Sequence, residues 1–379
     1  MGGHPVSAVP DTVRQLRAGM HRAGLDAVVA TTPDNVTYVA GFTVPSHLSN
    51  RFRRTLCLLP LDGEPALVVV TVEETLARDS TRWVREIHAY NEFTDDPFAV
   101  LAQLVRERRL EDARIGIEMD HVAADDYDRL RRHLPAARFS HAGPAFLEAR
   151  MHKTPAEVQA IRTLAGLAAR AHGEAYRRLR PGMTERDLAR LLIDACPGVD
   201  YCRPIVGAGE RSAFANAAPT DRPIAPGDVI RVDLIAGQNG FHSDIARTAV
   251  LGRPTAEQTR IWGALTDAYR RVQDRLAPGA RTRDLHMTYL ATLSAAGLEA
   301  SLKFLGHGLG LTIHEEPYVN EYTDRALEPG MVLCLEPVYL VPGRMGFHIE
   351  DEFLITDSGF TVLSDGTPND RLIEIGREA

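Results

Sequence analysis

A chain of 379 residues, 44% hydrophobic and 25% charged, is long enough to bury a large core and to divide into two domains. Its formal net charge of −8 is spread without a block of like sign, which argues against a nucleic-acid partner or an anionic membrane surface and leaves small molecules as the expected partners. No apolar run approaches the roughly 18 residues of a membrane span, the N-terminus does not read as a secretory leader, and Cys57, Cys196, Cys202 and Cys334 show no C-x-x-C spacing, so a cytoplasmic protein without a disulfide framework is expected.

In chain order, "DTVRQLRAGMHRAG" from Asp11 and "PFAVLAQLVRERR" from Pro97 read as helices between the strand-like runs "LDAVVATT", "RTLCLLP", "PALVVV" and "RIGIEM". Residues 1–150 are therefore expected to form an α/β domain. Within it, "SNRFRRTL" gathers Arg51, Arg53 and Arg54. At "HKTPAEVQAIR", Thr154, Pro155 and Glu157 spell a capping box with proline at the first helical position, and Val158, Ile161, Leu164, Ala168 and Leu179 follow at helical spacing. A second domain is expected over 151–379.

That second domain reads as an internal duplication. "LRPGMTERDL" from Leu179 recurs as "LAPGARTRDL" from Leu276, "PGDVIRVD" ending at Asp233 recurs as "PGMVLCLE" ending at Glu336, and "IVGAG" from Ile205 has a counterpart in "FLGHG" from Phe304. Each half reads helix, Pro-Gly turn, helix, then antiparallel strands. Two such halves facing each other across a pseudo-twofold axis would bring Asp233 and Glu336 together.

Asn239-Gly240 is a strong two-residue hairpin signal, and an even loop turns Asp233 and Asp244 to one face. A three-residue loop at Pro342-Gly343-Arg344 places Glu336 directly across from Glu350. Four carboxylates gathered in a partly buried site repel unless they take up protons or are neutralised by cations. Two divalent ions match four negative charges. Oxygen donors with one imidazole, His307 in "GHGLG", favour Mn²⁺, Co²⁺, Fe²⁺ or Zn²⁺ over a cysteine-type zinc site. His314 follows in "HEEP", and Cys334 on the face of Glu336 reads as a small packing residue.

These residues resemble the pita-bread metallohydrolases, the family of Xaa-Pro dipeptidases (prolidases), aminopeptidases P, creatinases and ectoine hydrolases. The resemblance spans essentially the whole chain. It implies an α+β architecture, a smaller creatinase-type N-terminal α/β domain followed by a pita-bread domain with a pseudo-twofold repeat. It maps the family's five metal ligands onto Asp233, Asp244, His307, Glu336 and Glu350, with Asp244 and Glu350 bridging two ions, manganese as first choice and cobalt, zinc or iron as alternatives. His314 takes the place of the family's catalytic histidine, and Glu336 doubles as general base. The implied reaction is hydrolysis of a C–N amide bond in a small molecule or short peptide by metal-activated hydroxide, in a homodimer.

Two departures accompany the resemblance. Peptidase members carry histidine where this chain has Asn216, which cannot relay a proton, and many carry arginine where it has His348. By strand alternation His348 shares a face with Glu350 and His242 with Asp244, so either imidazole could serve as a replacement acid–base or substrate-anchoring group. Arg53 is a candidate carboxylate clamp, since creatinase-like enzymes use an arginine from this region of the partner chain. A Xaa-Pro peptidase is the default reading. A creatinase-like or ectoine-hydrolase-like enzyme is the runner-up, a dimethylsulfoniopropionate-lyase-like activity comes third, and a catalytically inactive binding module is the rival from another class.

Overall fold

The apolar runs Leu56–Pro60 and Ala66–Val70 are buried at every position, as expected of central strands covered on both faces. In the computed structural model, which describes residues 9–50, 52–81 and 83–376, they belong to the first of two compact units, Met1–Arg150 and Met151–Ala379. Its strands are β1 (Ala27–Ala30), β2 (Leu56–Pro60), β3 (Ala66–Val70), β4 (Glu86–Tyr90), β5 (Arg114–Ile117) and β6 (Arg138–His141). They form one mixed sheet in the order β4-β3-β2-β1-β5-β6. The helices Asp11–Ala23 and Pro97–Glu107 bury Val13, Leu16, Leu101 and Val105. The edge strands β4 and β6 are only partly covered and lack a continuous apolar run, so the sequence does not advertise them.

In the second unit the helix Pro155–Arg178 begins with both reciprocal bonds of the capping box, Glu157 N–H to Thr154 Oγ1 at 3.3 Å and Thr154 N–H to Glu157 Oε2 at 2.8 Å. It stops one residue before Leu179, whose backbone is extended although its side chain is buried.

The duplication is visible bond by bond. After the first Pro-Gly turn, Gly182 N–H donates to Ile224 O and Ile224 N–H to Met183 O, and after the second, Gly279 N–H donates to Leu327 O and Leu327 N–H to Ala280 O. The bridges Thr184 to Pro223 and Arg281 to Ala326 repeat in the same way. Gly182 and Gly279 have φ of 87° and 84°, and Gly227 and Gly330 both have 89°, a left-handed conformation that glycine adopts without strain.

The strands of this unit are β7 (Tyr201–Ala208), β8 (Val229–Gln238), β9 (Phe241–Leu251), β10 (Phe304–Gly308), β11 (Glu315–Asn320), β12 (Val332–Leu335), β13 (Val338–Val341), β14 (Met345–His348), β15 (Asp351–Thr356), β16 (Gly359–Val362) and β17 (Ile373–Ile375). They form sheets β17-β9-β8-β7 and β11-β10-β12-β15-β16 and the two-stranded ribbon β13-β14. The two halves are joined where β9 meets the β14–β15 segment. There Glu350 N–H donates to Ala246 O at 3.2 Å, and Thr248 Oγ1 accepts from His348 N–H and donates to His348 O, both at 2.9 Å. Among the described residues no helix is long and apolar enough to cross a membrane.

Candidate metal centre

Local turn chemistry decides which acids face each other. β8 and β9 pair up to Gln238 and Phe241, leaving Asn239 and Gly240 as the loop with φ of 53° and 83°, the geometry of a type I′ turn. Asp233 then pairs with Ala246 and Ile235 with Asp244, so the two aspartates are diagonal neighbours on one face. In the other half β13 and β14 pair from Val338 and His348 to Val341 and Met345, which leaves the three-residue loop 342–344. Leu335 pairs with Asp351 beyond, so the register on both sides sets Glu336 opposite Glu350.

His307 lies on β10 between β11 and β12. Its flanking glycines let the three backbones close up, because a Cβ on Gly306 would stand 2.1 Å from Cys334 O and one on Gly308 would stand 2.2 Å from Glu316 O. His314 is exposed just before β11, and its ring stacks on His307 with centroids 3.7 Å apart and 14° between planes. The residue after it, Glu315, is pinned by a buried ion pair with Lys153 Nζ at 2.5 Å and by Thr312 Oγ1 at 3.0 Å.

These elements converge. His307 Nε2 is 3.0 Å from Glu336 Oε1 and 3.9 Å from Glu350 Oε1, and His348 Nε2 is 3.5 Å from Glu336 Oε2 and 3.7 Å from Glu350 Oε2. Possible donor atoms lie within 4.8 Å of one another in three sets, Asp244 with His307 and His314, His307 with Cys334 and Glu350, and Asp233 with His348 and Glu350. Cys334 is fully buried in the hydrophobic core, as expected of a small packing residue, and its sulfur also lies near His307 and Glu350.

So many acids out of water is costly. Asp244 is 4% exposed and Glu350 1%. Burial, then repulsion from the other acids, raises both carboxyls well above their ordinary range. Burial also pushes Glu336 up, but the facing imidazoles of His307 and His348 outweigh it and hold that carboxyl well below. Proximity does not amount to hydrogen bonding here. Asp233 Oδ1, Asp244 Oδ1, His307 Nε2, Glu336 Oε1 and both carboxylate oxygens of Glu350 have no hydrogen-bond partner among the described residues. Buried polar atoms are seldom left so. Hard oxygen donors with one imidazole, all lacking partners and turned toward one another, fit a divalent cation.

The remaining candidates lie elsewhere or are engaged. His242 on β9 hydrogen-bonds Gly310 O through Nδ1 at 3.2 Å and packs its ring against Tyr201. Asn216 is exposed in a turn beyond the short helix Gly209–Ala213. Arg53 forms a two-pronged ion pair with Glu92 at 2.8 and 2.9 Å, Arg54 pairs with Asp126 at 2.6 Å, and Arg51 lies outside the described residues.

Two residues escaped the sequence reading. Glu352, wholly buried, accepts the backbone N–H of Asp244 at 2.8 Å and so braces that strand. Arg231, 1% exposed, lies on β8 two residues before Asp233 and reaches Nδ1 of His348. A charged residue in an otherwise apolar strand, two positions from an aspartate and hence on its face, was the available signal for Arg231.

Residues 159–357 match the profile of metallopeptidase family M24, and residues 13–152 match the creatinase/prolidase N-terminal domain. The Xaa-Pro dipeptidase of Lactobacillus helveticus is 27% identical over 369 residues, covering 95% of this chain and 98% of the relative. Dipeptidase PepE of Mycobacterium ulcerans superposes with a TM-score of 0.84 at 26% identity, covering 99% of this chain and all of that one. A prolidase from Thermococcus sibiricus has the same fold, with a TM-score of 0.86 at 23% identity over 99% of this chain and all of that one.

Proposed function

The chain belongs to metallopeptidase family M24, and on that premise we propose that it is a two-metal Xaa-Pro dipeptidase in which Asp233, Asp244, His307, Glu336 and Glu350 hold the ions. Manganese is the first choice of metal. The observation that carries the reading is the set of buried donor atoms, contributed by two repeated hairpins and β10, that lack a hydrogen-bond partner among the described residues. The curated relative named Xaa-Pro dipeptidase, similar over nearly the full length of both chains, supports the substrate class.

When bound, divalent metal would polarise the scissile carbonyl and lower the pKa of water. The chain's own groups do the rest. Asp244 and Glu350, whose carboxyls are raised by burial and neighbouring acids, would have to be ionised to hold the metal, so its binding would be coupled to loss of any proton they carry. Glu336, held ionised by the two facing imidazoles, is the carboxylate available to take a proton. Partial desolvation of the His314 ring, which stacks on His307, and then the His307 neighbour itself lower its pKa, which favours the neutral ring at pH 7 that can hold the substrate carbonyl through one N–H. The assembly is read as a homodimer, in keeping with the exposed Phe52 and Phe93 of the first unit.

A second reading, a creatinase-like or ectoine-hydrolase-like enzyme, is favoured by Asn216, which supplies no imidazole where the peptidases of this family have one. Assay of the manganese-loaded protein on Gly-Pro, a longer Xaa-Pro peptide, creatine and ectoine separates the two. Cleavage of Gly-Pro is the expected result, with Asp244→Ala losing both turnover and metal. If both peptides survive while creatine or ectoine is opened, the second reading replaces the first; a fully active Asp244→Ala variant would remove the ligand assignment.

A further inference from the structure

We propose that Arg231 locks the imidazole of His348 in the tautomer with its proton on Nε2, so that His348 faces the acids as a hydrogen-bond donor and not as a metal ligand. The spacing of Asp233, His348 and Glu350 taken alone would suit an ion. The group behind the ring decides otherwise.

A guanidinium has five N–H donors and no acceptor. That of Arg231 is fixed by three backbone carbonyls of the segment leading to Asn216. Nε donates to Ser212 O at 3.0 Å, and Nη2 donates to Ala215 O at 2.6 Å and to Phe214 O. The remaining nitrogen, Nη1, is thereby aimed at His348 Nδ1, 3.5 Å away. Only a bare Nδ1 can accept that bond, which leaves the ring proton on Nε2. Ligation through Nε2 would require the proton on Nδ1 instead, setting two buried donors head to head. The ring has little freedom to turn away, because His348 is 2% exposed and both its backbone groups are tied to Thr248.

Nε2 is itself a buried atom with no hydrogen-bond partner among the described residues, and it is directed between Glu336 and Glu350. A donor in that position awaits an acceptor that the ligand brings, such as a substrate carbonyl or carboxylate oxygen. Arg231 is then a positioning residue that acts through His348 and also steadies the segment leading to Asn216. The inference rests on the functional reading only in taking the acids as the metal ligands.

Long-range ¹H–¹⁵N correlation spectra of the full chain labelled with ¹⁵N-histidine test it, metal-free and loaded with diamagnetic zinc, with His348→Asn used for assignment. In both states His348 is expected to show a protonated Nε2 and a bare Nδ1, and Arg231→Met is expected to mix the two tautomers. A proton on Nδ1 with a metal-shifted Nε2 in the zinc form overturns the proposal, as does an unchanged pattern in Arg231→Met. Should that variant fail to fold, the wild-type spectra decide alone. On Gly-Pro, Arg231→Met should lower kcat roughly 10- to 100-fold with KM held; an unaltered kcat counts against the positioning role. A wild-type enzyme inactive on Gly-Pro would sink the functional reading while the spectra still judge the tautomer.

Discussion

Asp244 and Glu350 are buried acids of the centre set against other acids, and the direction of their shifts bears on how stability depends on pH. Burial first, and the neighbouring acids second, raise both folded-state carboxyls above their unfolded values. The folded metal-free protein therefore holds more protons than the unfolded chain between the ordinary carboxylate pKa, about 4, and the raised values. In that window their contribution to stability falls as pH rises. Glu336 has the opposite sign, since its folded pKa is depressed, and its contribution is lost only on acidification below the ordinary carboxylate range. With a chelator present, the loss from Asp244 and Glu350 is set against a gain from His47 and His172, whose imidazole pKa values burial lowers to about 4 and about 3. Those two groups favour the folded state as pH rises through the ordinary imidazole value of about 6.5. The increment in melting temperature gained on adding Mn²⁺ should grow from pH 5 towards pH 8, because metal binding expels the carboxyl protons. Calorimetry across that range with and without Mn²⁺ measures both slopes, and a metal increment that shrinks with pH would contradict the ligand assignment. At this scale the sequence is informative where a residue offends its surroundings. Asp233 and Asp244 do so, being carboxylates in apolar strands. Arg231 offends equally, but a single arginine reads as a solvated charge until its burial and its three carbonyl partners are known.

The elements were legible where turn chemistry fixes parity and illegible where tertiary cover substitutes for pattern. Asn239-Gly240 and the three-residue loop at 342–344 determine which acids share a face, and both can be read from residue types alone. The edge strands β4 and β6 could not be read, because partly exposed edges need no apolar run. Between these extremes lies β10, whose glycines suggest close approach without saying to what. A methyl group at Gly306 would meet the carbonyl oxygen of Cys334, which β12 holds in place by its own pairing with β15, so neither strand can yield cheaply. Gly306→Ala should destabilise the protein by about 1–3 kcal/mol or more and weaken metal binding by shifting His307. Denaturant unfolding and a metal titration on the same variant check the two effects. Wild-type stability with undiminished metal affinity would mean that the strands are not packed as tightly as the geometry requires.

At the scale of the whole molecule, the duplicated second unit was visible in the sequence because both halves keep the residues that the turn demands. The Pro-Gly turns and their repeated hydrogen bonds, Gly182 with Ile224 and Gly279 with Leu327, are the physical content of that repeat. A surface for self-association could not be read this way, since exposed apolar residues in a sequence look like core residues. In the structure they stand out. Phe52 is 81% exposed and Phe93 88%, and they precede and follow the partners of the Arg53–Glu92 ion pair in the chain. Large aromatic side chains left in water are the usual anchors of an interface. A fully buried one contributes roughly 1.5–3 kcal/mol, so the double variant Phe52→Ser/Phe93→Ser should weaken self-association by several orders of magnitude if both lie in the contact. Sedimentation velocity should then show a dimer for the wild type and a monomer for the variant at micromolar concentration. A monomeric wild type would dispose of the assembly. A variant that stays dimeric would move the contact to another face.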